Sequence, residues 1–190
     1  MLEVIKYCKY GHISPEDTIY VLRNPLLYQR PLFYDSKFNK EIDDSDIFII
    51  EVSSVKTYEY KNMSCHHSVY TESERFKINE TIKNSIILRQ QNYDELCKDI
   101  LDIKCLLNNK PIIIVTHIST IYEGGRYELI QMLEKICNEN SIPILNPFKE
   151  ITKRGYDIKY LLQDENHYNN TGHIVIKEIY DEFISKTLAS

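Results

Sequence analysis

Three short apolar runs, spaced by amphipathic helical patterns, constrain this chain most. Asp46-Ile47-Phe48-Ile49-Ile50-Glu51-Val52 is nearly continuous in β-forming residues, the pattern of a strand buried on both faces. Pro111-Ile112-Ile113-Ile114-Val115-Thr116 reads as a second buried strand, and Ile142 to Leu145 as a third, shorter one. Leu96, Ile100, Ile103 and Leu107 recur at helical spacing, so about 93–108 is an amphipathic helix ended by Asn108-Asn109-Lys110. Gly124-Gly125 precedes a helix with Leu129, Met132, Leu133, Ile136 and Cys137 on one side. Val175, Ile179 and Phe183, at i, i+4 and i+8, mark the last helix. This alternation predicts the α/β class: a parallel sheet with helices on both faces.

Upstream, Val4 to Tyr10 reads as a short strand, and Gly11-His12-Ile13 turns. Ser14-Pro15-Glu16-Asp17 then opens a helix, with Ser14 as N-cap, Pro15 at the first helical position and acids in the first turn. That helix is expected to end near Asn24-Pro25. Residues 25–45 read as irregular and 53–75 as a long polar loop. No repeat, low-complexity tract or domain boundary is visible. At 190 residues and 43% hydrophobic, the expectation is one domain, 1–190, with a real core.

Composition narrows the function. A net charge of −5 argues against a protein built primarily to bind nucleic acid, since phosphate contacts need a basic surface. No apolar run approaches membrane-span length, and the N-terminus lacks the apolar stretch of a signal peptide. The 5 cysteines are scattered, with no CxxC, which fits reduced thiols and a cytoplasmic location. Oligomeric state is not legible, and the expectation of a small-molecule or glycan substrate comes only from the resemblance described below.

In a parallel α/β sheet, functional residues belong at the carboxyl ends of strands. Four segments meet that rule: Gly11 to Ser14, Ser53 to Lys56, His117 to Thr120, and Asn146-Pro147. Other features have weaker chemistry. His66-His67 are adjacent, so in a strand they would point to opposite sides and not share a metal; no metal site is expected. Gly124-Gly125-Arg126 lacks the patterns that cradle phosphates. Cys65 beside His66 is adjacency, not catalytic geometry. Tyr58, Tyr60, Tyr122 and Tyr168, among 15 tyrosines, could stack on a sugar or cover the core.

The densest chemistry lies in Asp164-Glu165-Asn166-His167-Tyr168-Asn169-Asn170-Thr171-Gly172-His173. A serine hydrolase needs a His to take the hydroxyl proton and an acid to hold that His. Asp-x-x-His puts both on one turn. Asn169 then opens a helix in which Gly172 permits close packing, fixing the loop.

This block resembles the closing motif of the SGNH (GDSL-like) hydrolase family, Asp-x-x-His followed by Pro-Asn-x-x-Gly-His. Asp164, His167, Asn169, Gly172 and His173 match; Tyr168 stands where Pro is usual. The resemblance implies a three-layer α/β/α flavodoxin-like fold, with His167 as general base and Asp164 as its partner. By order and spacing it extends over residues 46–185, with 110 residues from Ser54 to Asp164. The family's Gly-x-Asn-Asp position reads Ser53-Ser54-Val55-Lys56, so the oxyanion-binding Asn is absent. Ser53, Ser54, Lys56 and His117 are the remaining candidates for oxyanion or substrate binding. A Gly-Asp-Ser nucleophile block is not evident; the nearest match is Gly11-His12-Ile13-Ser14. Either Ser14 is a displaced nucleophile at a strand-to-helix junction, or strand 4–10 is the family's second strand and the nucleophile block precedes Met1. For Ser14 itself, a simple helix cap is the competing role.

The implied activity is acyl-ester chemistry, by an esterase or an acetyltransferase, on a carbohydrate. No cofactor is required, although a transferase would need an acyl donor such as acetyl-CoA. The competing expectation is a binding or scaffolding domain that has lost its nucleophile. A nucleotide-sugar-binding module of parallel α/β type is a third.

Overall fold

The computed structural model describes residues 2–120, 123–164 and 167–189. In chain order it forms α1 (Leu2–Tyr10), α2 (Pro15–Val21), α3 (Arg23–Tyr28), α4 (Lys37–Asp44), β1 (Phe48–Val52), β2 (Lys56–Tyr60), β3 (Met63–Cys65), α5 (Ser68–Thr71) and α6 (Glu80–Asn84). There follow β4 (Ile87–Gln90), α7 (Tyr93–Leu106), β5 (Ile112–Thr116), α8 (Gly124–Glu139), β6 (Ile144–Leu145), α9 (Pro147–Lys153), a 3-10 turn at Ile158–Tyr160, and α10 (Asn170–Leu188). The result is a mixed α/β protein. Its contacts group into two compact units, each made of two chain segments. The first is Met1–Ser45 with Val55–Asn109, the second Asp46–Ser54 with Lys110–Ser190.

The second unit contains the predicted parallel sheet, in the order β1-β5-β6. β1 pairs with β5 in parallel from Phe48↔Ile112 to Val52↔Thr116, and β6 joins through Ile114↔Ile144 and Val115↔Leu145. β5 is central and buried at all five positions, as its unbroken apolar run requires. Each buried Ile or Val there contributes about 1.5–3 kcal/mol relative to exposure. β1 departs from expectation: Ile49 is 42% exposed and Glu51 is exposed. It is an edge strand, and its alternation places only one face fully in the core. Ile113 and Val115 pack with Leu145, Ile151, Leu161, Val175, Ile176 and Ile179, so α9 and α10 cover that face. α8 also packs against β5 and β6, through a stripe that includes Leu129, Leu133 and Ile136.

The first unit holds what the sequence reading missed. Residues 4–10 are helical, not a strand. Gly11, at φ +58, closes α1 with its N–H on the Tyr7 carbonyl at 2.9 Å, the helix-ending use of a left-handed glycine. A Cβ at Gly11 would sit 2.6 Å from the Tyr34 ring, so close packing needs glycine there too. α1 packs against α4 and α7, and the Tyr7 hydroxyl donates to the Leu32 carbonyl at 2.8 Å. Residues 25–45 are not irregular either, since they contain the rest of α3 and all of α4. Pro25 falls in the first turn of α3, where a missing N–H costs nothing.

The expected loop 53–75 instead contains most of an antiparallel sheet, ordered β3-β2-β4. β2 and β3 form a hairpin with Tyr60 opposite Met63. The two connecting residues, Lys61 and Asn62, have φ of 50° and 62°, the left-handed pair of a tight type I′ hairpin.

Candidate functional site

Asp164 and His167 lie on the loop between the 3-10 turn and α10. Several bonds fix that loop. The Asn169 N–H donates to the Leu161 carbonyl at 3.0 Å, and the Gln163 N–H to the His167 carbonyl at 2.8 Å. Leu162 and Tyr168 form an isolated antiparallel bridge. Asn169 caps α10: its side-chain oxygen accepts the Gly172 N–H at 2.9 Å, and its amide donates to the Tyr160 carbonyl at 2.9 Å. Gly172 is required by space, because a Cβ there would lie 2.1 Å from the Leu161 carbonyl oxygen. The Asn and Gly of the motif thus act as builders of the loop.

The loop presents a carboxylate–imidazole pair. Both Asp164 oxygens lie 2.8 Å from His167 Nδ1. The pair is open to solvent, with the His167 side chain 73% exposed. Nε2 makes no hydrogen bond to a side-chain hydroxyl or thiol among the described residues. Glu165 and Asn166 of the motif, and Tyr122, lie outside the described residues.

The other sequence candidates are distributed as follows. Ser14 belongs to the first unit and follows a helix, so the expected strand-to-helix junction is not formed. Its Oγ accepts the Asp17 N–H at 3.2 Å and donates to Asp17 Oδ2 at 3.0 Å, the geometry of the helix cap. Ser53 and Ser54 follow Val52 at the carboxyl end of β1, both exposed. Lys56 does not share their loop; it opens β2 in the first unit, opposite Gln90. Asn146 caps α9 through its side chain, on the Lys149 N–H at 3.2 Å.

His117 follows the last residue of β5. Its Nδ1 is 2.5 Å from Glu51 Oε1 on β1. This second carboxylate–imidazole pair sits at the carboxyl ends of adjacent parallel strands. The hydrogen bond from His117 holds the Glu51 carboxyl below its ordinary range, against the opposing effect of burial. Tyr168 and Tyr180 pack on the same cluster as Val115, the register partner of Glu51. Burial, then the charge of Glu51, pushes the Tyr180 phenol up to about 12. The Tyr168 phenol is raised by burial, then by Tyr180 and Glu51, and its hydroxyl is buried without a hydrogen-bond partner. Sequence reasoning singled out His117 but not Glu51 or Tyr180. A signal existed: one acid interrupts an apolar strand just before its end, and a His directly follows the next strand.

Among the described residues, no group of three or more His, Cys, Asp or Glu side chains is placed to hold a metal ion. None of their helices is long and apolar enough to cross a membrane. Compared with known proteins, the chain matches no family model, no curated protein and no solved structure.

Proposed function

We propose that the second unit is an SGNH-like domain performing acyl-ester chemistry on a carbohydrate, with His167 as general base and Asp164 as its partner. One observation carries this reading. The Asp164 carboxylate brackets His167 Nδ1 with both oxygens at 2.8 Å, on a loop built by Asn169 and Gly172 of the same motif. A carboxylate on Nδ1 selects the tautomer with its proton there and leaves the Nε2 lone pair as the base. The reading includes the finer fold assignment, a three-layer flavodoxin-like arrangement. Supporting it are the parallel order β1-β5-β6 and the packing of α8, α9 and α10 on that sheet.

In the reaction, Nε2 takes the proton of a serine hydroxyl as its oxygen attacks the ester carbonyl. The carbonyl electron pair moves onto oxygen and returns as the ester C–O bond breaks, the imidazolium protonating the departing alkoxide; water, or an acceptor hydroxyl in a transferase, then gives its proton to Nε2 and attacks the acyl-serine, and the serine leaves with that proton. Ser53 and Ser54, at the carboxyl end of β1, supply N–H and hydroxyl donors for the oxyanion in place of the family's Asn.

The test is hydrolysis of p-nitrophenyl acetate together with labelling by a fluorophosphonate probe. Wild type should turn over, and His167→Ala and Asp164→Asn should lose about 100-fold or more in kcat/KM, the usual range of general-base catalysis. Peptide mapping of the adduct names the serine, and Ser14→Ala shows whether it is Ser14. A wild-type protein that neither hydrolyses nor labels refutes the esterase reading. A second reading then applies: a binding domain on the same frame. The absence of a hydroxyl or thiol on His167 Nε2 among the described residues favours it.

A further inference from the structure

We propose that the open edge of β4 is a self-association surface, where a second copy of this chain adds its own β4 antiparallel to the first. The inference concerns the first unit and is independent of the chemistry proposed for the second.

The register shows which main-chain groups face outward. β4 pairs with β2 alone, antiparallel, from Lys56↔Gln90 to Glu59↔Ile87. Just beyond, the Gln91 N–H donates to the Val55 carbonyl at 2.9 Å. Bonded and non-bonded residues alternate along an antiparallel pair. Arg89 and Ile87 therefore bond to β2 as Gln91 does, and Leu88 and Gln90 aim their N–H and C=O groups away from it. No hydrogen bond among the described residues uses these outward groups. The side chains do not blunt the edge. Ile87 is 61% and Leu88 48% exposed, β4 contains no proline or lysine, and Arg89 is drawn to Glu59 and Glu95 at 2.5 and 2.7 Å. Natural sheets usually protect such an edge. The opposite edge is covered: β3 packs against α1 and α2, and the His66 N–H beyond it donates to the Tyr20 carbonyl at 3.2 Å.

The outward groups of β4 complement themselves. With Leu88 opposite Gln90 of the second copy, every outward N–H meets an outward C=O about a two-fold axis at Arg89. Neighbouring registers fail. One centred on Leu88 needs the Ile86 N–H, which already donates to the Lys83 carbonyl at 3.2 Å. One centred on Gln90 needs the Asn92 N–H, which donates to the Glu95 carboxylate at 2.9 Å. In the open register the two Leu88 side chains are diagonal neighbours on one face, and Ile87 is diagonal to Arg89 of the second copy on the other. The two Arg89 residues face each other, and bare like charges there would repel. Each arrives with two carboxylates, however, so each guanidinium also meets the carboxylates of the other copy. A strand pair this short buries less than the ~1,200 Å² of a stable interface, so the association is weak and concentration-dependent. It closes as a dimer, because the covered β3 edge gives no second site for growth.

The experiment follows the full chain by sedimentation velocity and amide hydrogen exchange from about 10 μM to 1 mM, the range in which so small an interface associates. The expected result is a monomer–dimer equilibrium. The Leu88 and Gln90 amides should slow about fivefold at the top of that range, while the Arg89 amide, bonded to β2, is protected throughout. Leu88→Pro removes an outward donor and spares the β2 ladder. It should weaken the dimer about tenfold or more, since each copy loses a bond. Leu88→Lys, which keeps the main chain whole and puts a charge on the edge, should do the same, and it decides if Leu88→Pro fails to fold. A chain monomeric throughout overturns the proposal, as does a dimer whose Leu88 and Gln90 amides still exchange freely. A dimer indifferent to Leu88→Lys, or association that continues beyond two copies, also overturns it.

Discussion

Replacing Gly172 with alanine should loosen the loop that carries Asp164 and His167. The added Cβ would lie 2.1 Å from the Leu161 carbonyl oxygen, 3.0 Å from its carbon and 3.1 Å from Tyr168 Cβ. Ordinary contact begins near 3.4 Å, so backbone must move by roughly an ångström. Leu161 cannot yield freely: it is 2% exposed within the core and its carbonyl holds the Asn169 N–H. Overpacking of this kind costs about 1–3 kcal/mol. Alanine returns at most about 0.5–1 kcal/mol of helix propensity, and less in a first turn. The net expectation is a loss of about 1–2 kcal/mol. Gly125 provides the control. It also lies in the first turn of a helix, has no left-handed φ, and a Cβ there would meet nothing within 4 Å. Gly125→Ala should therefore be neutral or slightly stabilising. Urea unfolding followed by circular dichroism compares the two. Should Gly172→Ala prove as stable as Gly125→Ala, the steric argument for the loop is wrong.

Two further outcomes follow from the capping and titration geometry. Ser14→Ala should cost about 1 kcal/mol, the typical worth of a side-chain N-cap, whereas Ser14→Thr retains the acceptor and most of the stability. Unchanged unfolding of Ser14→Ala would remove the cap as the role of this residue. Glu51 titrates below its ordinary value of 4.5 because His117 hydrogen-bonds its carboxylate. The folded state thus binds fewer protons at Glu51 than the unfolded chain does. The stability contributed is complete above about pH 4.5 and is lost as pH falls through the lower folded value. Glu51→Gln should flatten the pH dependence of the unfolding free energy in that acid range. An unaltered slope would show that the pair does not couple to folding.

The legible parts of this chain are those where one physical signal acts alone. β5 is apolar at four consecutive positions, Ile112 to Val115, and is central; α7 repeats Leu96, Ile100 and Ile103 on a buried face and is helical. The loop motif was readable to the level of single residues, since Asn169 and Gly172 act through local hydrogen bonds and local space. Residues 4–10 are ambiguous in the sequence because Ile, Val and Tyr in a short run suit a strand or a helix equally, and tertiary packing of α1 on α4 and α7 decides for the helix. The β2–β3 hairpin was hidden because Lys61-Asn62 adopts a turn usually advertised by Asn-Gly. Glu51 was read as a strand residue. Its pairing with His117 follows from the register of β1 on β5, and the local trace of it is faint: an acid near the end of one apolar strand and a His directly after the next.

The discontinuous sheet of the second unit has a consequence for synthesis. β1 leaves the ribosome about sixty residues before the strand it pairs with, Phe48–Val52 waiting for Ile112–Thr116. At about 5–20 residues per second, that interval lasts roughly 3–12 s. During it the apolar edge of β1 has no native neighbour in its own sheet, while most of the first unit emerges. The first unit can therefore gather its contacts first, and the parallel sheet, with the Glu51–His117 pair across it, is one of the last features the nascent chain can complete.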